Sequence, residues 1–140
     1  MSLIVLDASA VAAWSLPSQH TPAAETLLSE ARQHRFQVPH IFPIEVRSLF
    51  LAAERRGRWR IADTETALTE LDELDLNVVR LDDPAEMRSV MGVARAEALA
   101  IYDAFYLRLA EADKAVIASR DRALLQAAER RGVACINLNP

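Results

Sequence analysis

The chain carries one cysteine, three glycines and, among its 16 basic residues, a single lysine, Lys114; each scarcity excludes something. Lone Cys135 cannot form a disulfide within the chain, and no spaced set of cysteines or histidines offers a zinc site. It lies in the apolar segment Val133, Ala134, Cys135, Ile136, where it is expected to be a buried strand residue. Few glycines, no repeat and no low-complexity tract argue against a disordered or fibrous chain. No apolar run is long enough to span a membrane. The N-terminal run is interrupted by Asp7, breaks at Pro17 and has no basic leader, so it does not read as a signal peptide, and a cytoplasmic protein is expected.

What is present is a core. The chain is 51% hydrophobic over 140 residues, which suits one domain spanning residues 1–140. A domain of this length buries roughly 68–70% of the surface its unfolded chain exposes. The net charge of −4 argues against a nucleic-acid partner, but distribution overrides the sum. Arg55, Arg56, Arg58 and Arg60 gather around Trp59 in a segment with Gly57. That cluster reads either as a phosphate-binding patch with a stacking ring or as a solvated helix end with Trp59 tucked into the core.

Short apolar runs at residues 3–6, 36–38, 77–80, 115–118 and 133–136 read as strands. Between them helical periodicity spans residues 8–14, 21–35, 41–56, 60–74, 83–98, 102–112 and 119–132. Thr21-Pro22 and Asp83-Pro84 supply helix starts, and Gly132 supplies a stop. Expected core faces are Ala24, Leu27, Leu28 and Ala31; Ala67, Leu68, Leu71 and Leu74; and Phe105, Leu109 and Ala112. Strands alternating with amphipathic helices imply an α/β chain with a parallel sheet covered by helices. Ligands of such sheets bind outside the carboxyl ends of the strands, where Asp7 and Asp121 both fall.

Four acids stand against apolar segments. Asp7 ends the first strand, where it can cap the following helix or bind a cation. Glu45 lies four residues from both Ile41 and Leu49 on a stripe that should be buried, so its carboxylate must be paired, protonated or bound to a cation. Asp103 opens the helix carrying Phe105 and Leu109, and Asp121 falls in the first turn of the last helix. His20, His34 and His40 have no ligand spacing and read as surface or capping residues. The runs Asp72, Glu73, Asp75 and Asp82, Asp83 read as solvated helix ends.

The stretches Val5-Leu6-Asp7-Ala8-Ser9-Ala10, Pro43-Ile44-Glu45-Val46, Tyr102-Asp103-Ala104-Phe105-Tyr106-Leu107-Arg108-Leu109-Ala110 and Ser119-Arg120-Asp121-Arg122-Ala123-Leu124 resemble the PIN domain, in order and at its separations. The chain looks most like the VapC toxins within it, and the resemblance covers nearly all of the chain. It implies a three-layer α/β/α fold with a parallel sheet of about five strands. It implies a magnesium- or manganese-dependent RNA endonuclease, with Asp7, Glu45, Asp103 and Asp121 as catalytic metal-site acids supported by Ser9 and Ser119. It further implies a homodimer, inhibited by a VapB-like antitoxin protein, or a larger toxin–antitoxin complex built from both.

Magnesium and manganese prefer the carboxylate and water oxygens that such a site offers. Attack of a metal-activated water on the scissile phosphate would leave 5'-phosphate and 3'-hydroxyl ends, and cleavage of cellular RNA would block translation and growth. Two rivals compete. An aspartyl-phosphate phosphatase needs a second Asp where Ser9 stands, and a receiver domain needs an acid pair and a middle-strand Asp that are missing. The other is a non-catalytic RNA- or protein-binding module on the same fold.

Overall fold

The computed structural model describes residues 2–140. Strand β1 (Ser2–Leu6) occupies the centre of the molecule, because Ile4, Val5 and Leu6 are apolar on both faces and all three are fully buried. It pairs in parallel with β2 (His34–Pro39) on one side and β4 (Val116–Ser119) on the other. The short strands β3 (Asn77–Val79) and β5 (Cys135–Asn137) close the two edges, giving the sheet order β3-β2-β1-β4-β5.

Every crossover is helical: α1 (Ala8–Ser15) and α2 (Pro22–Ser29) follow β1, and α3 (Phe42–Arg55) and α4 (Ile61–Asp72) follow β2. After β3 come α5 (Pro84–Glu97) and α6 (Ile101–Asp113), and α7 (Arg122–Arg130) joins β4 to β5. The first two crossovers step one way along the sheet and the last two step the other way. Right-handed connection therefore puts α1 to α4 on one face and α5 to α7 on the opposite face. The packing agrees, with α1 against α2 and α3, and α6 against α5, α7 and the central strands. The expected three-layer α/β/α architecture is present.

Several boundaries differ from the sequence reading, for local reasons. The helix expected over residues 21–35 ends at Ser29 and gives way to a 3-10 turn at Ala31–Gln33, because His34 and Arg35 are drawn into the ladder opposite Ser2 and Leu3. Leu28, expected on the buried stripe, is 41% exposed. The last helix begins at Arg122 rather than at residue 119, since Ser119 pairs with Asn137 in the sheet and Asp121 caps the helix. Cys135 is exposed because β5 is an edge strand, which corrects the expectation of a buried thiol. Ala112 is exposed as well, although Phe105 and Leu109 beside it are buried.

Helix α6 is the main buttress of the sheet, and its Leu107 is wholly inaccessible. Leu107→Ala should lower the unfolding free energy by about 2–5 kcal/mol in a urea titration. A loss under about 1 kcal/mol would mean that this face of α6 is not in the core.

Candidate functional site

The strands β1 and β4 are neighbours whose crossovers leave on opposite faces, which opens a crevice at their carboxyl ends. A cavity of about 510 Å³ lies there, and Asp7, Glu45, Asp103 and Asp121 all line it. Asp7 follows β1 directly and Asp121 caps α7 just after β4, while Glu45 and Asp103 sit in the first turns of α3 and α6. Four separate crossovers thus deliver the acids, one each.

Asp7 is 4% exposed and accepts three hydrogen bonds. The Ser9 backbone N–H reaches Oδ1 at 2.8 Å, the Ser9 hydroxyl donates to the same oxygen, and the Ser119 hydroxyl donates to Oδ2 at 2.7 Å. Chemistry settles the direction of both hydroxyl protons. The Arg120 N–H donates to Ser9 Oγ and the Asp121 N–H donates to Ser119 Oγ, each at 2.8 Å. A backbone N–H can only donate, so each hydroxyl accepts there and aims its one proton at Asp7. Asp121 in turn accepts the Leu124 N–H at 3.0 Å, which caps α7.

Electrostatics mark the same residues. Burial pushes the Asp7 carboxyl up to about 6 in spite of the three hydrogen bonds, and the charge of Asp121 adds to the rise. Asp103 is also pushed up to about 6, by burial first and then by the charges of Asp121, Asp7 and Glu45. Partial burial raises Glu45 above the ordinary carboxylate range, while the Tyr106 hydroxyl, donating to Oε1 at 2.5 Å, holds it back. Tyr106 itself stays protonated, because burial and the neighbouring Glu45 carboxylate disfavour the phenolate.

Among the described residues no three His, Cys, Asp or Glu side chains gather tightly enough to form a ready-made ion cage. The four carboxylates line a shared cavity, in which the charges of Asp121, Asp7 and Glu45 add to the rise of Asp103. Magnesium takes only one or two carboxylates directly and keeps several waters, so an open all-oxygen set fits it better than it fits a structural zinc ion.

The other residues singled out in the sequence divide. Ser9 and Ser119 are bound to Asp7, as above. Arg55, Arg56, Arg58 and Arg60 are exposed at the end of α3 and line no part of the acidic cavity. Trp59 is half-buried, its ring stacked on Phe50 at 6.0 Å. His40 accepts the Leu81 N–H and packs edge-on against Phe105, a structural role. Tyr106, Gln19 and Arg120 were not picked out beforehand. Tyr106 had a signal: a buried tyrosine hydroxyl needs a partner, and it lies one helical turn beyond Asp103. Nothing local marks Gln19 or Arg120, whose roles arise where two loops distant in sequence meet and Arg120 Nη1 donates to the Gln19 carbonyl at 3.0 Å.

Comparisons with known proteins agree with this fold. The profile of the PIN domain family matches residues 4–130. The chain is 28% identical over 124 residues to "Ribonuclease VapC3" of Pyrobaculum aerophilum, covering 88% of this chain and 92% of that protein. Among solved structures, PAE2754 of Pyrobaculum aerophilum superposes with a TM-score of 0.73 at 23% identity, over 96% of this chain and 84% of that one. VapBC2 of Rickettsia felis, bound to a DNA fragment from its promoter, gives a TM-score of 0.64 at 12% identity over 98% and 99% of the two chains. FitAcB of Neisseria gonorrhoeae gives 0.62 at 18% identity over 96% of each. At these identities the structural likenesses speak for the fold.

The raised carboxyls have a consequence for stability. Asp7 and Asp103 hold their protons more readily folded than unfolded, so the metal-free fold loses stability as pH rises from about 4 through about 6. Asp103→Asn removes one of the repelling charges. In EDTA its Tm should exceed that of the unaltered chain by about 3–6 °C near pH 7.5, with a smaller gain near pH 5. An equal Tm at both pH values would show that the carboxylates do not strain the fold.

Proposed function

This chain belongs to the PIN domain family, and from that membership and its acidic cavity we propose a magnesium- or manganese-dependent RNA endonuclease acting as the toxin of a toxin–antitoxin pair. The observation that carries the reading is the meeting of Asp7, Glu45, Asp103 and Asp121 around one cavity, with two of them pushed up to about 6. Carboxylates that repel one another in an open crevice favour a cation over an empty state.

Asp7 and Asp103 would hold the ion directly, and Glu45 and Asp121 would bind its waters or a second ion. When bound, the ion supplies a water of lowered pKa and positive charge against the scissile phosphate. The chain's own residues do the rest. Ser9 and Ser119 fix both oxygens of Asp7, so that its carboxylate cannot turn away. Tyr106 pins Oε1 of Glu45 and leaves Oε2 as the remaining acceptor for a water or a proton. Attack of water on the phosphorus, with departure of the 3'-oxygen, leaves a 5'-phosphate and a 3'-hydroxyl. The 2'-hydroxyl takes no part, so no 2',3'-cyclic phosphate forms.

The relatives supply the biological setting. One carries the name ribonuclease, and two of the structural neighbours are VapBC2 and FitAcB. The corresponding partner here is a VapB-like antitoxin, with the toxin a homodimer in the complex. No helix among the described residues is long and apolar enough to cross a membrane, in keeping with action on RNA in the cytoplasm.

Purified, antitoxin-free protein incubated with total cellular RNA tests the proposal. Discrete fragments with 5'-phosphate ends should appear with magnesium or manganese and vanish in EDTA. Asp7→Asn should lower the rate by about 100-fold or more, beyond the usual effect of a supporting residue. Cleavage that survives EDTA, or cyclic phosphate ends, would overturn the mechanism.

A further inference from the structure

A second cavity, of about 270 Å³, opens beside the acidic one, and Leu16, Gln19, Ala53, Arg56, Arg58 and Trp59 are among its walls. We propose that it is the subsite for a nucleotide of single-stranded RNA flanking the cleaved bond, with Arg56 and Arg58 on its phosphates and Trp59 against its base. This rests on the reading that the acidic cavity cleaves RNA.

The turn that carries these residues is built to hold them in place. Gly57 adopts φ +74°, a left-handed conformation that ends α3 and sets Arg56 and Arg58 on either side of the bend. Trp59 is held from its inner side: its ring stacks near-parallel on Phe50, with 8° between the planes, and its N–H donates to Thr64 Oγ1 at 2.9 Å. Thr64 is fixed in turn by donating to Glu54 Oε2 at 2.7 Å. The same Trp59 lines the cavity. A ring whose orientation is already fixed loses little freedom when a base packs on it.

Placement separates Arg56 and Arg58 from Arg55, which is also unpaired among the described residues but lies outside this cavity, and charge separates them from Arg60. Arg60 is engaged with Asp63 at 3.2 Å. Among the described residues neither Arg56 nor Arg58 enters an ion pair. Two uncompensated guanidinium groups beside an apolar floor of Leu16 and Ala53, in a chain of net charge −4, suit a ligand that is anionic along one edge and flat and apolar along the other. A nucleotide is such a ligand.

Position ties the cavity to the chemistry. Gln19 lines both cavities, and the floor continues along one helix face from Glu45, Leu49 and Ala52 to Ala53 and Arg56. Glu45 and Arg56 are eleven positions apart, about 16 Å of helix, so an extended strand anchored at the acids reaches the arginines within a few nucleotides. The dividing wall is anchored to the catalytic end, because Arg120 holds the Gln19 carbonyl with its side chain and Ser9 with its backbone N–H.

The test is binding of a fluorescein-labelled single-stranded oligouridylate to the full chain in EDTA, where the RNA stays intact, read by anisotropy across a salt series. Arg56→Ala with Arg58→Ala should weaken binding about tenfold and lower the salt slope by about 0.7 for each lost phosphate contact. Arg55→Ala with Arg60→Ala, outside the cavity, should change neither. Quenching of tryptophan fluorescence by the same RNA should disappear in Trp59→Phe and persist in Trp14→Phe. Equal weakening by both arginine pairs would show a diffuse basic surface and overturn the subsite. Unchanged RNA binding in Arg56→Ala with Arg58→Ala would overturn it too, leaving the cavity to a protein partner. Cleavage of RNA by the unaltered chain with metal is scored separately, so loss of the subsite and loss of the nuclease reading remain distinguishable.

Discussion

Asp7 is the carboxylate around which the carboxyl edge of the sheet is organised. It stands where β1 becomes α1, and Ser119, 112 positions later, must arrive from β4 to bond it. Burying a carboxylate costs several kcal/mol unless donors replace its lost waters. Two serine hydroxyls and one backbone N–H do so here, and the hydroxyls keep their protons for Asp7 while their lone pairs accept the N–H groups of Arg120 and Asp121. Sheet register, loop conformation and carboxylate orientation are therefore one problem with a shared solution. Loosening any member of the set leaves a buried donor or acceptor without a partner.

The replacement is incomplete. A carboxyl that stays near 6 with three hydrogen bonds remains under electrostatic tension, and Asp103 shares it through the charges around it. In the metal-free chain this tension subtracts from stability. A divalent cation held in the cavity would cancel it. On the function proposed above, the acidic cavity would repel RNA until a cation binds, and the uncompensated Arg56 and Arg58 next door would offset that repulsion.

Much of this could be read from the chain. The apolar run before Asp7 set the central strand, the alternation of strands and helices set the layers, and Glu45 on an otherwise apolar stripe announced a carboxylate with work to do. What escaped depends on neighbours distant in sequence. His34 and Arg35 carry a helical pattern but are captured by pairing with β1, and Cys135 is apolar in context but falls on an edge strand. Tyr106 reads as a core aromatic until α3 is seen to place Glu45 opposite its hydroxyl. The arginine cluster was visible as composition, yet only the fold shows that Arg56 and Arg58 line a cavity that Arg55 and Arg60 do not.

Calorimetric titration of the metal-free chain with manganese, repeated near pH 5 and near pH 7, tests the centre of this account most directly. If Asp7 and Asp103 hold the ion and titrate near 6, affinity should rise with pH, and binding near pH 5 should release protons to the buffer. Binding that is absent at both pH values, or that proceeds without proton release and with the same affinity, would contradict it.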